Sequence, residues 1–176
     1  MAYELIFKKF NGTVIKDVNQ YVKDWSKENP YGEVVIGCDS QEHARFVTYA
    51  VVIVMHARDK YGMGKGAHVI KSVIRDNNHK TPKSARKIQN GKIVNFDTSA
   101  LQGKLWKEVE LTIQTAQMLT DCELKVKVHV DYNSDDKAAS HILYASGIGY
   151  AQGMGYEAEG KPYAWAATHV ADSLCR

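Results

Sequence analysis

The apolar residues of this chain follow two different periods, and the change of period outlines the secondary structure. Continuous runs of β-branched residues at 31–41 and 45–58 are typical of strands that are covered on both faces. Residues 67–74 predict a third strand, and the short connections between these segments predict an antiparallel meander. A further short strand is predicted at residues 3–10, before an Asn-Gly turn.

Apolar residues spaced three and four positions apart predict the helices, at residues 14–25, 98–120, 137–152 and 162–175. Asp135 or Asp136 is a candidate cap for the helix at 137–152. Further strands are predicted at 124–131, where apolar and polar residues alternate, and at 156–159.

The order of these elements predicts the fold class. A right-handed crossover through the long helix at 98–120 makes the strand at 124–131 parallel to the strand at 31–41. We therefore expect an α/β fold with a five-stranded mixed sheet, in which strands 1–3 are antiparallel and strands 4 and 5 are parallel to strand 1. Helices flank the sheet, and one extra helix precedes it. A length of 176 residues with 44% hydrophobic content favours a single domain over residues 1–176.

Composition excludes several classes of protein. No run of about 18 apolar residues is present, and the N-terminus lacks the pattern of a secretory signal, so we expect no membrane partner. Cys38, Cys122 and Cys175 are far apart, which fits free thiols in a cytoplasmic protein and argues against a zinc site. The net charge of +3 is too small to indicate a nucleic-acid partner by itself.

Acidic residues recur at positions where the predicted elements converge. Asp39 ends the central strand and Asp131 ends the strand parallel to it, so adjacent pairing would bring them about 4.8 Å apart at the rim where α/β sheets bind ligands. Glu108 lies at the edge of the apolar stripe of the long helix, whereas Glu110 points away from it. Asp172 lies in the last helix. Carboxylates this close repel one another unless a cation neutralises them.

The last predicted helix has two faces. Trp165, His169 and Asp172 share one face by α-helical spacing, and the opposite face is formed by Tyr163, Ala167, Val170 and Leu174. If the apolar face packs on the domain, the face with Asp172 looks outward or across a cleft.

Each acid also has an ordinary structural explanation. An aspartate at a strand end often forms a turn or caps a helix, and Asp131 is followed by several such residues. Glu108, His169 and Asp172 can equally be solvated helix residues. It is the order of the acids along the chain that favours a functional site. Ser40 and Gln41 either hold a phosphate there or cap the strand end.

Residues 76–96 contain many basic and almost no apolar residues, and we expect them to be without regular structure. The candidate nucleic-acid-binding residues in this segment are Lys80, Lys83, Arg86 and Lys87. The segment is either a basic flap that contacts phosphates or an ordinary solvated loop, and charge alone does not decide between them.

The ordered acids resemble those of the ribonuclease H superfamily, and the motifs more closely resemble the YkuK-like family of predicted RNase H-like nucleases. The resembling stretches are residues 36–41, 128–131, 153–155 and 161–172. Two departures from the family pattern are Cys38, where we expect threonine, and the lack of a glycine in the loop after Asp131.

This resemblance implies a metal-dependent nuclease with two Mg²⁺ or Mn²⁺ ions, which also suit oxygen ligands. It implies that Asp39 binds both ions. Glu108 and Asp131 would bind the ion on the leaving-group side, and Asp172 would bind the ion on the nucleophile side. His169 would position water or carry protons. The implied substrate is nucleic acid, with DNA, RNA, hybrids and branched junctions all open. The oligomeric state is also open, with a homodimer as one option. The alternative is a catalytically inactive RNase H-like module that binds nucleic acid or a protein.

Overall fold

The structure is a computed structural model that describes residues 4–77, 87–89, 92–94, 99–119, 122, 124–134 and 143–175, with the backbone alone described at 87–89, 92–94, 99–100 and 133. The elements in chain order are helix α1 (Val18–Glu28), strands β1 (Glu33–Glu42), β2 (Val47–Arg58), β3 (Gly64–Asp76), β4 (Lys87–Gln89) and β5 (Lys92–Val94), helix α2 (Ser99–Met118), strand β6 (Val126–Asn133), helix α3 (Tyr144–Gly153), strand β7 (Glu157–Lys161), a π-helix (Ala166–Ala171) and helix α4 (Asp172–Cys175). Among the described residues, no helix is long and apolar enough to cross a membrane.

The main sheet has the strand order β3-β2-β1-β6-β7. Strands β1, β2 and β3 are antiparallel neighbours, whereas β6 is parallel to β1 and β7 is parallel to β6. The predicted five-stranded mixed sheet is therefore confirmed. Strand β1 is central, and its residues alternate between two cores: Val34 and Ile36 pack in the core that includes α2, and Val35 packs in the core below the π-helix.

The π-helix approaches β1 so closely that only glycine fits between them. A Cβ atom on Gly37 would lie 2.6 Å from the backbone nitrogen of Ala167 and 2.8 Å from the carbonyl carbon of Ala166. Both partners are backbone atoms, so a side chain at position 37 can be accommodated only if the π-helix moves away. This contact sets the height of α4 above the end of β1.

We expect Gly37→Ala to destabilise the protein by about 1–3 kcal/mol, because the added methyl group overfills a backbone contact. Gly149→Ala is the matched control, because Gly149 is an exposed helical glycine with nothing within 4 Å of an added Cβ. That change should be neutral or stabilise by up to about 1 kcal/mol. Urea unfolding of both variants measures the difference. Equal stability of the two would contradict the close contact.

The N-terminal predictions were wrong in detail. In place of a strand at residues 3–10, Lys8 forms isolated bridges with Val14 and Lys71. The first helix begins at Val18 and not at residue 14, because the Asp17 side chain accepts a hydrogen bond from the backbone N–H of Gln20 and caps the helix there.

The prediction of one regular α-helix over residues 162–175 was also wrong, since the chain forms a π-helix before α4. Trp165, His169 and Asp172 consequently do not share a face. Trp165 packs edge-on against the His129 ring, with the ring centroids 5.2 Å apart, while His169 is exposed. The i→i+5 turns of a π-helix are wider than α turns, so residues at α-helical spacing lose their alignment. Tyr163, predicted on the apolar face, is 71% exposed.

Residues 76–96 were expected to lack regular structure, but β4 and β5 pair antiparallel within them. Of the basic residues predicted to bind nucleic acid, Lys80, Lys83 and Arg86 lie outside the described residues, and Lys87 is described by its backbone alone. The candidate caps at 135 and 136 also lie outside the described residues.

Candidate active site at the rim of the sheet

The parallel pair β1–β6 brings two acids to the same rim of the sheet. Its last paired residues are Cys38 and Val130, so Asp39 and Asp131 follow side by side. Both side chains are on the sheet face that carries the π-helix, because Asp39 lies two residues after Gly37 on β1 and residues two apart in a strand share a face. Burial raises the pKa of Asp39 to about 6, and the charges of Asp131 and Asp172 add to the rise.

The start of α4 adds two further groups at this rim. Ligand atoms of Asp39, Asp172 and Cys175 all lie within 4.8 Å of one another, and Cys175 Sγ is 3.9 Å from Asp39 Oδ2. Burial, followed by the charges of Asp39 and Asp172, raises the pKa of the Cys175 thiol to about 12. The thiol is therefore protonated at neutral pH. Sequence reasoning missed Cys175, although its position three residues after Asp172 was a signal.

Glu108 enters from the opposite face of the sheet. It is only 2% exposed, whereas Glu110 is exposed, as the helical stripe predicts. Ser40 Oγ donates a 2.5 Å hydrogen bond to Glu108 Oε1, while Oε2 is buried and accepts no hydrogen bond from the described residues. Burial raises the pKa of Glu108 to about 8; Lys104 and the Ser40 bond oppose the rise, and Asp39 and Asp131 reinforce it.

The neighbouring polar residues of β1 have different surroundings. The Ser40 hydroxyl is buried and committed to Glu108, which sequence reasoning did not anticipate. Gln41 is exposed at the strand end, and its Nε2 lies 3.3 Å from the Glu42 carbonyl oxygen. Of the two, only Gln41 presents its side chain to solvent beside the acids.

Asp131 is held by two residues that the sequence did not single out. Thr168 Oγ1 donates a 2.9 Å hydrogen bond to Asp131 Oδ1, and Lys161 Nζ lies 2.9 Å from the same oxygen. Lys161 ends β7 and Thr168 lies in the π-helix, so the two elements that flank the acid also fix its orientation.

A buried histidine supports the π-helix below this site. His129 is 1% exposed, and its Nδ1 accepts a 3.2 Å hydrogen bond from the backbone N–H of Ala166. Burial lowers the pKa of His129 to about 4, so the ring is neutral at physiological pH. Its place is structural: it ties the start of the π-helix to β6.

The structure does not bring all the predicted site residues into one group. Asp39 and Asp172 converge directly, Asp131 raises the pKa of both Asp39 and Glu108, and Asp39 also raises the pKa of Glu108. His169 is exposed and is not a member of the Asp39–Asp172–Cys175 group. The outward position of His169 follows from the π-helix that precedes Asp172.

The donor set fits a hard divalent cation. Its oxygen atoms come from aspartates, and the charges of Asp131 and Asp172 help to raise the pKa of Asp39 through repulsion, which a cation would relieve. The unpartnered, buried Oε2 of Glu108 is a further oxygen without a hydrogen-bond donor among the described residues. The carboxylates offer hard oxygen ligands, and these suit Mg²⁺ or Mn²⁺.

Comparison with known proteins bears on the same residues. A family model described as Ribonuclease H-like matches residues 13–176, a span that contains the whole main sheet and all four acids. Searches of curated proteins and of solved structures found no match.

Proposed function

The chain belongs to the Ribonuclease H-like family, as its motifs predicted, and we propose that it is a metal-dependent nuclease that hydrolyses phosphodiester bonds of nucleic acid. The observation that carries this proposal is the approach of Asp39 and Asp172 to within 4.8 Å at the sheet rim. Asp131 and Glu108 extend the group, because the charge of Asp131 raises the pKa of both Asp39 and Glu108. The fold alone does not determine the reaction, so the proposal also depends on the clustered acids.

In this proposal Asp39, Glu108, Asp131 and Asp172 hold two Mg²⁺ or Mn²⁺ ions. When bound, such ions supply acidity to an attacking water and positive charge to the departing oxygen. The chain's own residues orient the ligands. Ser40 fixes one oxygen of Glu108 and leaves the other without a hydrogen-bond donor among the described residues, and Thr168 and Lys161 fix Oδ1 of Asp131. His169, exposed at the outer side of the π-helix, would exchange protons with solvent.

The second candidate is an inactive module that binds nucleic acid or a protein. One observation favours it: Lys161 Nζ lies 2.9 Å from Asp131 Oδ1 and neutralises the charge that a metal ion would otherwise neutralise. The two candidates differ in whether divalent ions bind and whether any strand is cut.

A substrate screen decides between them. Labelled single-stranded, duplex, hybrid and four-way substrates of DNA and RNA are incubated with Mn²⁺, Mg²⁺ or EDTA. We expect at least one substrate to be cut with Mn²⁺ and none with EDTA, and we expect Mn²⁺ to raise the melting temperature by binding the folded state. Binding without cleavage of any substrate would favour the inactive module. No cleavage and no thermal shift would reject the proposed metal centre.

A further inference from the structure

The side chains that share the sheet face of Asp39 lie in rows that cross to the edge strand β3. Asp39 is opposite Ala50, and Ala50 is opposite Val73. Two residues further toward the rim, Thr48 is opposite Arg75. Neighbouring strands are about 4.8 Å apart, so β3 lies about 10 Å from Asp39 across the sheet.

The edge strand is open on this face. The core below the π-helix and α4 contains Val35, Ala50 and Val52 of the two inner strands. On β3, in contrast, Val73 is 49% exposed and Arg75 is exposed. Residues 71, 73 and 75 point to the same side of the sheet, so two cations flank an exposed apolar residue there.

Aromatic rings hold these cations in place. The guanidinium carbon of Arg75 lies 4.2 Å from the centroid of the Phe46 ring, and Lys71 Nζ lies 4.8 Å from that of the Phe10 ring. Phe46 belongs to the turn between β1 and β2, which also carries the exposed Arg45. A cation that packs against a ring keeps its charge but loses conformational freedom, so its side chain is preorganised to bind an anion.

The balance of charge around this face is positive. The acids nearby are Glu4, which lines the same groove as Lys8, Lys71 and Arg75, and Glu42 at the end of β1. Apart from the site acids and from Asp76, which pairs with Lys107, four cations, with Arg45 included, stand against two acids and leave a net charge of +2. Within the described residues, no salt bridge engages Arg45, Lys71 or Arg75.

We propose that Arg45, Lys71 and Arg75 form a basic face that binds the phosphate backbone of the strand to be cut at Asp39. The inference rests on the proposed function, and it places strand binding on the β2–β3 side of the acids. Arg75 lies two strand spacings across the sheet and two residues along it from Asp39, so their backbones are about 12 Å apart, or about three to four steps of a stacked strand at about 3.4 Å per step.

The test compares the double variant Lys71→Gln/Arg75→Gln with Lys60→Gln. Lys60 is a matched control, because it also lies over an aromatic ring, 5.0 Å from the Tyr61 centroid, but in the turn at the other end of β2 and β3. Binding is measured by fluorescence anisotropy of a labelled single-stranded oligonucleotide in EDTA, over a series of salt concentrations. Circular dichroism and melting temperature check that each variant is folded.

We expect the double variant to bind at least about tenfold more weakly and to lower the slope of log K against log [salt] by about 1.4, as the loss of two phosphate contacts requires. Lys60→Gln should match the wild type. Equal affinity and slope in the double variant and the control would overturn the basic face. So would a wild-type protein that binds no oligonucleotide.

This experiment separates the basic face from the nuclease proposal. A wild-type protein that binds through Lys71 and Arg75 but cuts no substrate would support the basic face and reject the nuclease. A protein that cuts with Mn²⁺ but binds equally well without these cations would reject the basic face alone.

Discussion

Asp39→Asn is expected to lower the rate of Mn²⁺-dependent cleavage by about 10³-fold or more. Asp39 is the acid nearest the centre of the group, because it shares a 4.8 Å cluster with Asp172 and follows the last β1–β6 pair beside Asp131. Replacing its carboxylate by an amide removes one negative charge from the proposed metal ligands. Metal ions contribute several kcal/mol of transition-state stabilisation, and each 1.36 kcal/mol corresponds to a factor of ten in rate.

The fold of this variant should be intact. The carboxylate of Asp39 is costly when the protein is free of metal, since burial raises its pKa to about 6, and an amide of the same shape avoids that cost. The control is Asp24→Asn, an exposed aspartate of α1 that is remote from the site; it lies 3.7 Å from Lys27 and accepts a 2.7 Å hydrogen bond from Gln20. It should retain full activity. Full activity in Asp39→Asn, measured on the best substrate of the screen, would remove the proposed mechanism.

The parts of the site that sequence predicts are those that depend on strand order and helical period. Adjacent parallel strands place Asp39 and Asp131 together whatever the details of packing. The apolar stripe of α2 likewise separates buried Glu108 from exposed Glu110. Both arguments use only the regular geometry of strands and α-helices.

The parts that sequence did not predict depend on irregular geometry. The π-helix turns Trp165 toward His129 and leaves His169 outside, and an α-helical wheel cannot anticipate this change of period. Lys161 and Thr168 reach Asp131 only because β7 and the π-helix flank β6. Asp39, Ala50 and Val73 lie in one row across β1, β2 and β3. Predicting this row requires the register of all three strands, which the hydrophobic pattern alone does not give.

Gly37 connects the regular sheet with the irregular π-helix. The last helical segment can carry Asp172 to the rim only if its backbone lies directly on β1. A Cβ atom on Gly37 would lie 2.6 Å from the Ala167 nitrogen, so there is no room for a side chain. A glycine in the middle of a central strand costs stability, so its presence at this position marks a close approach of another backbone. The site is thus assembled by packing as well as by topology.

Glu108→Gln is expected to stabilise the metal-free protein at high pH while it removes activity. In the folded protein burial raises the pKa of Glu108 from 4.5 to about 8. Between these values the folded state holds a proton that the unfolded chain has lost. The wild-type protein therefore has no penalty from Glu108 below about pH 4.5 and loses stability as the pH rises toward 8. At about 1.4 kcal/mol per pKa unit, the loss is on the order of 5 kcal/mol.

Glutamine keeps the shape of the side chain, still accepts the Ser40 hydrogen bond, and cannot ionise. The variant should therefore have about the stability of the wild type at pH 5 and exceed it by several kcal/mol at pH 8 in EDTA, as urea unfolding can measure. Saturating Mn²⁺ should reduce this advantage, because it stabilises the wild-type carboxylate and gives the amide less. Glu110→Gln, an exposed neighbour on the same helix, is the control and should not change the pH dependence. The stability difference between Glu108→Gln and the wild type could instead be the same at both pH values. That result would mean that the pKa of Glu108 is not raised in the folded protein, and it would contradict the proposed role of this residue in the metal centre.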